Sequence, residues 1–350
     1  MNLSELARRD VGWLSGGDGN PCIISTRIRL ARNLKGFSFP STSPAETLRK
    51  IRERVFRACK SISLLKKAEN IRLEECDDID RQLLLERNLV SRGLAFSSRP
   101  GGILLGDREL MSIMINEEDH LRAQYISAGL NLFDSWDVIN RLDDDLGGLL
   151  DYAYSGKWGY LTSCPTNTGT GMRASCLLHL PGLGMTGSLG GTMENINKLG
   201  MVVRGIYGEG TRVMGNILQV SNQVTLGVSE TRVIDSLKRL VVQVVERERK
   251  VSSKILETGE ETVKDSVYRS HGVLVNAYKI SFEEAMDFMS NLRFGVYNGI
   301  IKRDLNTLNN LMIKIQPAHI QQIEGSCMND SEMDIARARL IRNALRKSGV

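Results

Sequence analysis

The stretch GGILLGDRELMSIMINEEDHLR (101–122) holds two short apolar runs, each bounded by glycine or polar clusters, and closes on three consecutive acids. Apolar runs of this length with such boundaries read as strands. The pattern recurs in WGYLTSCP (158–165), GMVVRGI (200–206), RVMGNILQVSN (212–222) and QVTLGVSE (223–230). Residues 101–228 therefore read as a sheet with several half-buried strands. Helical periodicity surrounds it. Leu48, Ile51, Val55, Cys59 and Ile62 recur at three to four, which predicts an amphipathic helix over 44–62. Residues 70–90 read as a second helical stretch. Ser188 is placed to cap a helix whose one face carries Met193, Ile196 and Leu199. Ser229 opens a long helix to residue 250, with Val233, Leu237, Leu240, Val241 and Val244 on its apolar face. Ser281 with Glu284 forms a capping-box pattern, and residues 331–347 read as a last, Arg-rich helix.

The chain has 350 residues, enough for two domains or three. Apolar density falls in SSKILETGEETVKD (252–265). The expected organisation is a loosely held, Gly-rich arm over 1–20, a sheet-bearing domain over 21–255 and a helical C-terminal domain over 265–350. Apolar residues make up 41% and charged residues 25%, which excludes a disordered or collagen-like chain. Aromatics are only 5%, which disfavours a nucleic-acid surface of stacked rings. The net charge of +5 fits a polyanion or an anionic small ligand. Cysteines 22, 59, 76, 164, 176 and 327 form no CxxC pair, so reduced thiols are expected. The opening residues carry no apolar signal region and no run reaches 18 apolar residues, so a cytoplasmic protein with no membrane partner is expected. P-loop, HRD/DFG, HExxH, zinc-spaced Cys/His and GxSxG motifs are absent from the sequence.

Four segments carry chemistry. In STRIR (25–29), strand alternation puts Thr26 and Ile28 on one face and Arg27 and Arg29 together on the other. Paired guanidinium forks suit phosphate oxygens, although exposed edge strands show the same alternation. In NEEDHLR (116–122), Glu117, Glu118 and Asp119 repel one another unless a cation sits among them; an acidic helix start is the other meaning. CPTNTGTGMRAS (164–175) is a backbone-rich loop able to present N–H groups to an anion, or an ordinary turn beside a buried Cys164. RGIYGEG (204–210) surrounds Arg204 and Glu209 with glycines, as in a mobile loop that closes over a ligand, or a plain surface loop.

In that order and combination the four motifs resemble the phosphagen (guanidino) kinase family over residues 20–250, and look most like its bacterial protein-arginine branch. GVLVNAYKISFEEAMDFMSNLRFGV (272–296) and LMIKIQPAHIQQ (311–322) resemble that branch's C-terminal domain. The resemblance implies an α+β fold: a glutamine synthetase-like antiparallel sheet flanked by helices, plus a helical C-terminal domain. It implies ATP-dependent phosphorylation of arginine side chains in proteins. Phosphorylation of free arginine or another small guanidine, and a non-catalytic basic adaptor or repressor, are the alternatives. Only 24 residues precede STRIR here, where small-guanidine kinases have a helical domain. An acceptor side open to proteins is expected from that.

By position in the motifs, the resemblance assigns ATP binding to Ser25, Thr26, Arg27, Ile28 and Arg29, to Arg122, to Arg173, Ala174, Ser175, Cys176 and Leu177, and to Arg204, Gly205, Ile206, Tyr207, Gly208 and Glu209. It makes Glu118 the catalytic carboxylate, Glu117 its support, Glu209 a second acceptor-side carboxylate and Cys164 an active-site thiol that tunes the site. Magnesium is expected to be held by phosphates and water with no protein ligand. Asn88 stands where the branch has a histidine near the adenine. The branch's phosphoarginine-sensing motif reads Met333-Asp334-Ile335-Ala336-Arg337-Ala338; Asp334 and Arg337 remain but the leading arginine is missing, so weak or no sensing is expected. Implied partners are arginine-bearing protein substrates, a zinc-containing activator, a heat-shock repressor, a Clp-type unfoldase and a second copy of the chain.

Overall fold

The computed structural model describes residues 3–15, 19–205 and 213–347. Helix α1 (Leu3–Arg8) precedes β1 (Ile23–Arg32), α2 (Ala45–Cys59), β2 (Glu69–Arg72), α3 (Asp78–Glu86) and the single turn α4 (Arg92–Ala95). Then come β3 (Gly102–Leu105), β4 (Met111–Ile115), β5 (Leu121–Ala128) and α5 (Leu132–Gly147). A small hairpin, β6 (Tyr154–Ser155) and β7 (Gly159–Tyr160), leads to β8 (Met172–His179), α6 (Pro181–Met185), α7 (Leu189–Lys198), β9 (Met201–Gly205) and β10 (Ile217–Asn222). The remainder is helical: α8 (Glu230–Asn276), α9 (Phe282–Tyr297), α10 (Leu305–Lys314), α11 (Pro317–Glu324) and α12 (Asp330–Lys347).

Eight strands make one antiparallel sheet in the order β2-β3-β4-β5-β1-β8-β10-β9, the α+β architecture expected from the sequence. Alternation gives the sheet two unlike faces. On one, Ile28, Leu30, Ala174, Cys176, Leu218 and Val220 are buried against Ile51 and Val55 of α2, Ile139 and Leu142 of α5, and Ile234, Leu237 and Val241 of α8. Each such aliphatic side chain contributes roughly 1.5–3 kcal/mol on full burial. The other face is divided. Its end at Ile126, Leu177 and Ile217 lies under Trp13, Met286, Met289, Leu292 and Leu311; its other end is polar and forms the site described below.

Several expectations need correction. The Gly-rich opening is no loose arm over residues 3–15: Leu6, Ala7, Val11, Trp13 and Leu14 are all buried, because the apolar residues between the polar ones fill the seam between the sheet and the C-terminal helices. Residues 70–90 are not one helical stretch. Glu69–Arg72 pairs with β3 as an edge strand, and the helix starts only after Asp77, whose side chain accepts from Asp80 N at 2.8 Å. The polar stretch 252–265 lies inside α8, its buried side carried by Ser252 and Val263 and its regularity broken at Gly259 (φ −150°, ψ 37°). QVTLGVSE is a turn without a strand, and WGYLTSCP contributes only two strand residues. Ser188 makes no side-chain cap, and Leu199 is 67% exposed. The caps at Ser229 and Ser281 form as expected, accepting from Arg232 N and Glu284 N.

One buried ion pair anchors the sheet near its polar end. Arg32 donates from Nε and Nη2 to Asp143 of α5 at 2.7–3.1 Å and stacks on Tyr160 at 3.4 Å from the ring centroid. Asp143→Ala strands a buried guanidinium. The expected loss is about 3–5 kcal/mol in urea unfolding; a loss below 1 kcal/mol (about the value of an exposed pair) would contradict the role assigned to this pair.

Candidate active site

Register decides which side chains share the polar face. Arg29 on β1 stands opposite Arg173 on β8 and Gln124 on β5, and Arg27 stands opposite Ser175 and Ile126. Arg122 precedes Gln124 by two residues, so it shares their face. Ser221 pairs with Ser175, and Gln219 pairs with both Leu177 and Arg204. Arg27, Arg29, Arg122, Arg173 and Arg204 thus project from four strands onto one face. A cleft of about 460 Å³ opens there, lined by Glu118, Arg122, Cys164, Thr166, Asn167, Arg173, Val202, Arg204, Asn222, Gln223 and Thr225.

The guanidinium groups crowd one another. Burial, then the charges of Arg122 and Arg173, pull Arg27 down to about 9. Burial and the charges of Arg27, Arg122 and Arg173 pull Arg29 well below the arginine range, with Glu117 opposing. Arginine does not give up its proton in practice, so the shift means that the face lacks negative charge. The Nε atoms of Arg27 and Arg29 are buried without a hydrogen-bond partner among the described residues. Such donors fit a polyphosphate, which brings several acceptor oxygens at once.

The acidic turn between β4 and β5 resolves its repulsion by giving each acid a different neighbour. Glu117 accepts two bonds from Arg122 Nη1, at 2.8 and 2.9 Å. Burial alone would raise its pKa, but the Arg122 charge and hydrogen bonds from Ser91 and Arg122 hold it below the usual carboxylate value. Asp119 is buried and accepts from Asn33 Nδ2 at 2.6 Å and Ser163 N at 2.7 Å, tying the turn to the loop before Cys164. His120 is fully buried, accepts from Leu34 N at Nδ1 and sits 3.0 Å from Ser38 O at Nε2. Burial lowers its pKa, and Nδ1, as the acceptor from a backbone N–H, carries no proton. Glu118 remains exposed at the cleft wall. Partial desolvation and the charges of Glu117 and Asp119 push its pKa above the usual 4.5, against Arg122.

The other expected residues separate by face. Ser25, Arg27, Ser175 and Leu177 line a small recess with Asn88, Trp13, Ile126 and Gln219, which places Asn88 beside Arg27. Thr26, Ile28, Ala174 and Cys176 were expected at the nucleotide, but their side chains lie on the core face and are fully buried; Thr26 Oγ1 donates to Gly129 O at 2.7 Å. A strand offers only alternate residues to a ligand, so a continuous motif overcounts. Cys164 lines the cleft, its Sγ 3.0 Å from Thr166 Oγ1. Gly205 ends β9, and Ile206, Tyr207, Gly208 and Glu209 lie outside the described residues. Asp334 and Arg337 are distant in role: Arg337 is buried, donates to Ile315 O and Ile280 O at 2.8 and 3.0 Å and pairs with Asp334 at 2.5 Å.

Sequence reasoning passed over Gln219, Ser221 and Asn222. Gln219 accepts from Arg27 Nη2 at 3.1 Å and donates to Ser175 at 2.7 Å. Arg173 donates to Ser221 Oγ at 3.0 Å, and Asn222 Oδ1 accepts from Ala174 N at 2.8 Å. Polar residues alternating with Leu218 and Val220 were the available signal. The sequence reading expected no GxGxxG after a strand, yet GLGMTG (182–187) has that phosphate-turn spacing just after β8. Here Gly182 N and Leu183 N donate to the buried carboxylate of Glu248 at 2.6 and 2.9 Å, so the chain fills this anion position itself.

Residues 50–251 match the family model "ATP:guanido phosphotransferase, C-terminal catalytic domain", and residues 260–349 match "Protein-arginine kinase McsB C-terminal domain". The chain is 42% identical over 348 residues (99% of each chain) to a protein-arginine kinase of Halothermothrix orenii, and 44% identical over 335 residues (94% of each) to one of Pelotomaculum thermopropionicum. Among solved structures it resembles lombricine kinase, with a TM-score of 0.59 and 22% identity over 72% of this chain and 71% of that one. It also resembles the duplicated taurocyamine kinase of Schistosoma mansoni with bound transition-state analogue components, with a TM-score of 0.59 and 23% identity over 79% of this chain and 40% of that one. An arginine-lined sheet face, a carboxylate left free at its edge among the described residues and both family matches agree: the chain belongs to the ATP:guanido phosphotransferase family.

Proposed function

We propose that the chain transfers the γ-phosphoryl group of ATP to arginine side chains of proteins. The observation that carries this is a carboxylate with no ion-pair partner among the described residues, Glu118, sharing one cleft with Arg122, Arg173 and Arg204. Phosphoryl transfer passes through a loose, charge-rich transition state, so positioned cations and in-line orientation supply most of the catalysis. The arginine face holds the phosphates. Glu118 orients the acceptor guanidinium and takes a proton as the N–P bond forms; a base with a raised pKa is better matched to that task. Glu117 acts by fixing Arg122. Glu209 supplies a second carboxylate on the acceptor side. Magnesium held by the phosphates and water, with no protein ligand, would neutralise part of the triphosphate charge.

Two observations favour a protein acceptor over free arginine. The full-length relatives bear that name, and residues 260–349 match the C-terminal domain of the same enzymes. The test is incubation with ATP and casein, or with free arginine, followed by phosphosite mass spectrometry under non-acidic conditions. Phosphoarginine on casein is expected, and faster turnover of free arginine would refute the protein reading.

Cys164 tunes the cleft and forms no covalent intermediate. Cys164→Ser is therefore expected to keep kcat within about tenfold, and complete loss would require a covalent role. The pair Asp334–Arg337 is spent inside the fold and Met333 supplies no cation, so added phosphoarginine is expected to leave the rate nearly unchanged. A strong sigmoidal response would overturn this. The same family reading gives the chain a zinc-containing activator, a heat-shock repressor and a Clp-type unfoldase as partners, and a homodimeric state that sedimentation would test.

A further inference from the structure

We propose that the β6–β7 hairpin and the turn at 223–227 form a docking rim for the polypeptide that carries the acceptor arginine. This rests on the protein-arginine reading above and adds where the rest of the substrate lies.

Four large apolar side chains are exposed on these two segments: Tyr154 (62%), Trp158 (48%), Val224 (53%) and Leu226 (44%). They are backed by well-tied backbone. Tyr160 N donates to Gly169 O at 2.8 Å, and Thr170 N donates to Thr225 O at 3.1 Å. Thr225 Oγ1 lies 2.8 Å from Thr166 O and 2.7 Å from Thr168 O. The packing is backbone to backbone: a Cβ on Gly159 would sit 2.5 Å from Gly169 O, and one on Gly169 would sit 2.3 Å from Thr225 O. The hairpin, the loop after Cys164 and the 223–227 turn therefore form one surface.

That surface continues into the cleft. Thr166, Asn167, Gln223 and Thr225 line it, and the exposed Val224 and Leu226 alternate with two of them. An acceptor arginine reaching Glu118 brings its neighbouring residues over this rim. Apolar side chains left open beside a polar cleft fit a substrate larger than the group that reacts.

Cations of this chain already sit on two of the rim's aromatic rings, so the rim offers a docking peptide apolar contact rather than charge. Arg32 already stacks on Tyr160, and Lys157 Nζ lies 4.8 Å from the Trp158 ring centroid. Tyr154 meets Tyr160 edge to face at 5.3 Å. The occupant is the extended polypeptide on either side of an acceptor arginine seated in that cleft.

The test compares the wild-type chain with Trp158→Ala, with Val224→Ser/Leu226→Ser, and with Tyr154→Ser. Each is assayed with unfolded casein, with free arginine and for the KM of ATP. The expected result is a KM for casein raised about tenfold, the effect of losing one apolar anchor. The ATP KM and any free-arginine rate stay unchanged, which also shows that the variants fold. An unchanged casein KM in all three variants overturns the docking rim while leaving the function intact. A variant that loses self-association at unchanged casein KM overturns it too, assigning the rim to a second copy. Wild-type chain that turns over free arginine but never marks casein overturns the protein-acceptor reading, and the rim with it.

Discussion

Glu118→Gln is expected to lower kcat by about 10²–10⁴-fold, the range set by removing a positioned general base. The KM for ATP should change little, because Glu118 carries no ion pair among the described residues; Glu117 holds Arg122 instead. The pH profile is a second readout. The carboxylate must be ionised to accept the proton, and its pKa lies above 4.5. The acid limb of kcat/KM in the wild type should therefore lie above the ordinary glutamate value and vanish in the residual activity of the variant. The stability sign is opposite to that of a paired acid. A carboxyl whose folded pKa is raised has its charged form disfavoured by the fold; that cost is present above the folded pKa and disappears as pH falls through it. Glu118→Gln should consequently be at least as stable as the wild type at pH 7. A variant with wild-type kcat would remove the base from the mechanism and revive a non-catalytic reading.

The second large effect is expected at Arg29. Arg29→Met should reduce kcat by about 10³-fold or more, as removal of a transition-state arginine does in other phosphoryl transfers, yet leave the apo chain at least as stable. Burial and the charges of Arg27, Arg122 and Arg173 all disfavour its charge. A cation whose folded pKa is depressed costs stability at pH values below its ordinary value, and neutral pH lies far below that of arginine. Deleting the charge relieves the crowding. ATP binding reverses the balance, since a ligand that binds only the folded state stabilises it by mass action. ATP should thus raise Tm strongly in the wild type and weakly in Arg29→Met. Arg29→Lys separates charge from geometry: it keeps the cation, loses the planar fork and should recover little activity. Destabilisation of apo Arg29→Met by several degrees would mean that Arg29 is a structural residue.

Much of the site was legible because strand alternation is a local rule. STRIR placed Arg27 and Arg29 on one face and Thr26 and Ile28 on the other, and burial agrees at all four positions. The same rule, not applied to the ATP-binding stretches, would have set aside Thr26, Ile28, Ala174 and Cys176. The acidic turn was only half legible. Three adjacent acids announce a conflict, but which one stays free depends on Asn33 and Ser163, 86 and 44 residues from Asp119. Gln219 and Ser221 signalled a polar strand face by alternating with Leu218 and Val220, but not their partners, since they face Arg27 and Arg173 across strand neighbours. The opening segment misled because its glycines were weighed above Trp13 and Leu14, whose burial depends on helices far along the chain; Val11 N beside them donates to Asn310, 299 residues away.

Residue chemistry and short-range periodicity, by themselves, determined a strand-rich region among helices, the capped helices at Ser229 and Ser281, and a set of arginines and acids suited to phosphate and guanidinium; the α+β class came from the family resemblance. Those properties depend on neighbours within a few residues. Only the tertiary structure decided that arginines from four strands share one face, that Glu118 alone among its neighbours is free, and that Glu248 occupies the glycine turn at 182–187. Strand order and register set these outcomes, and both are fixed by contacts between residues far apart in the chain.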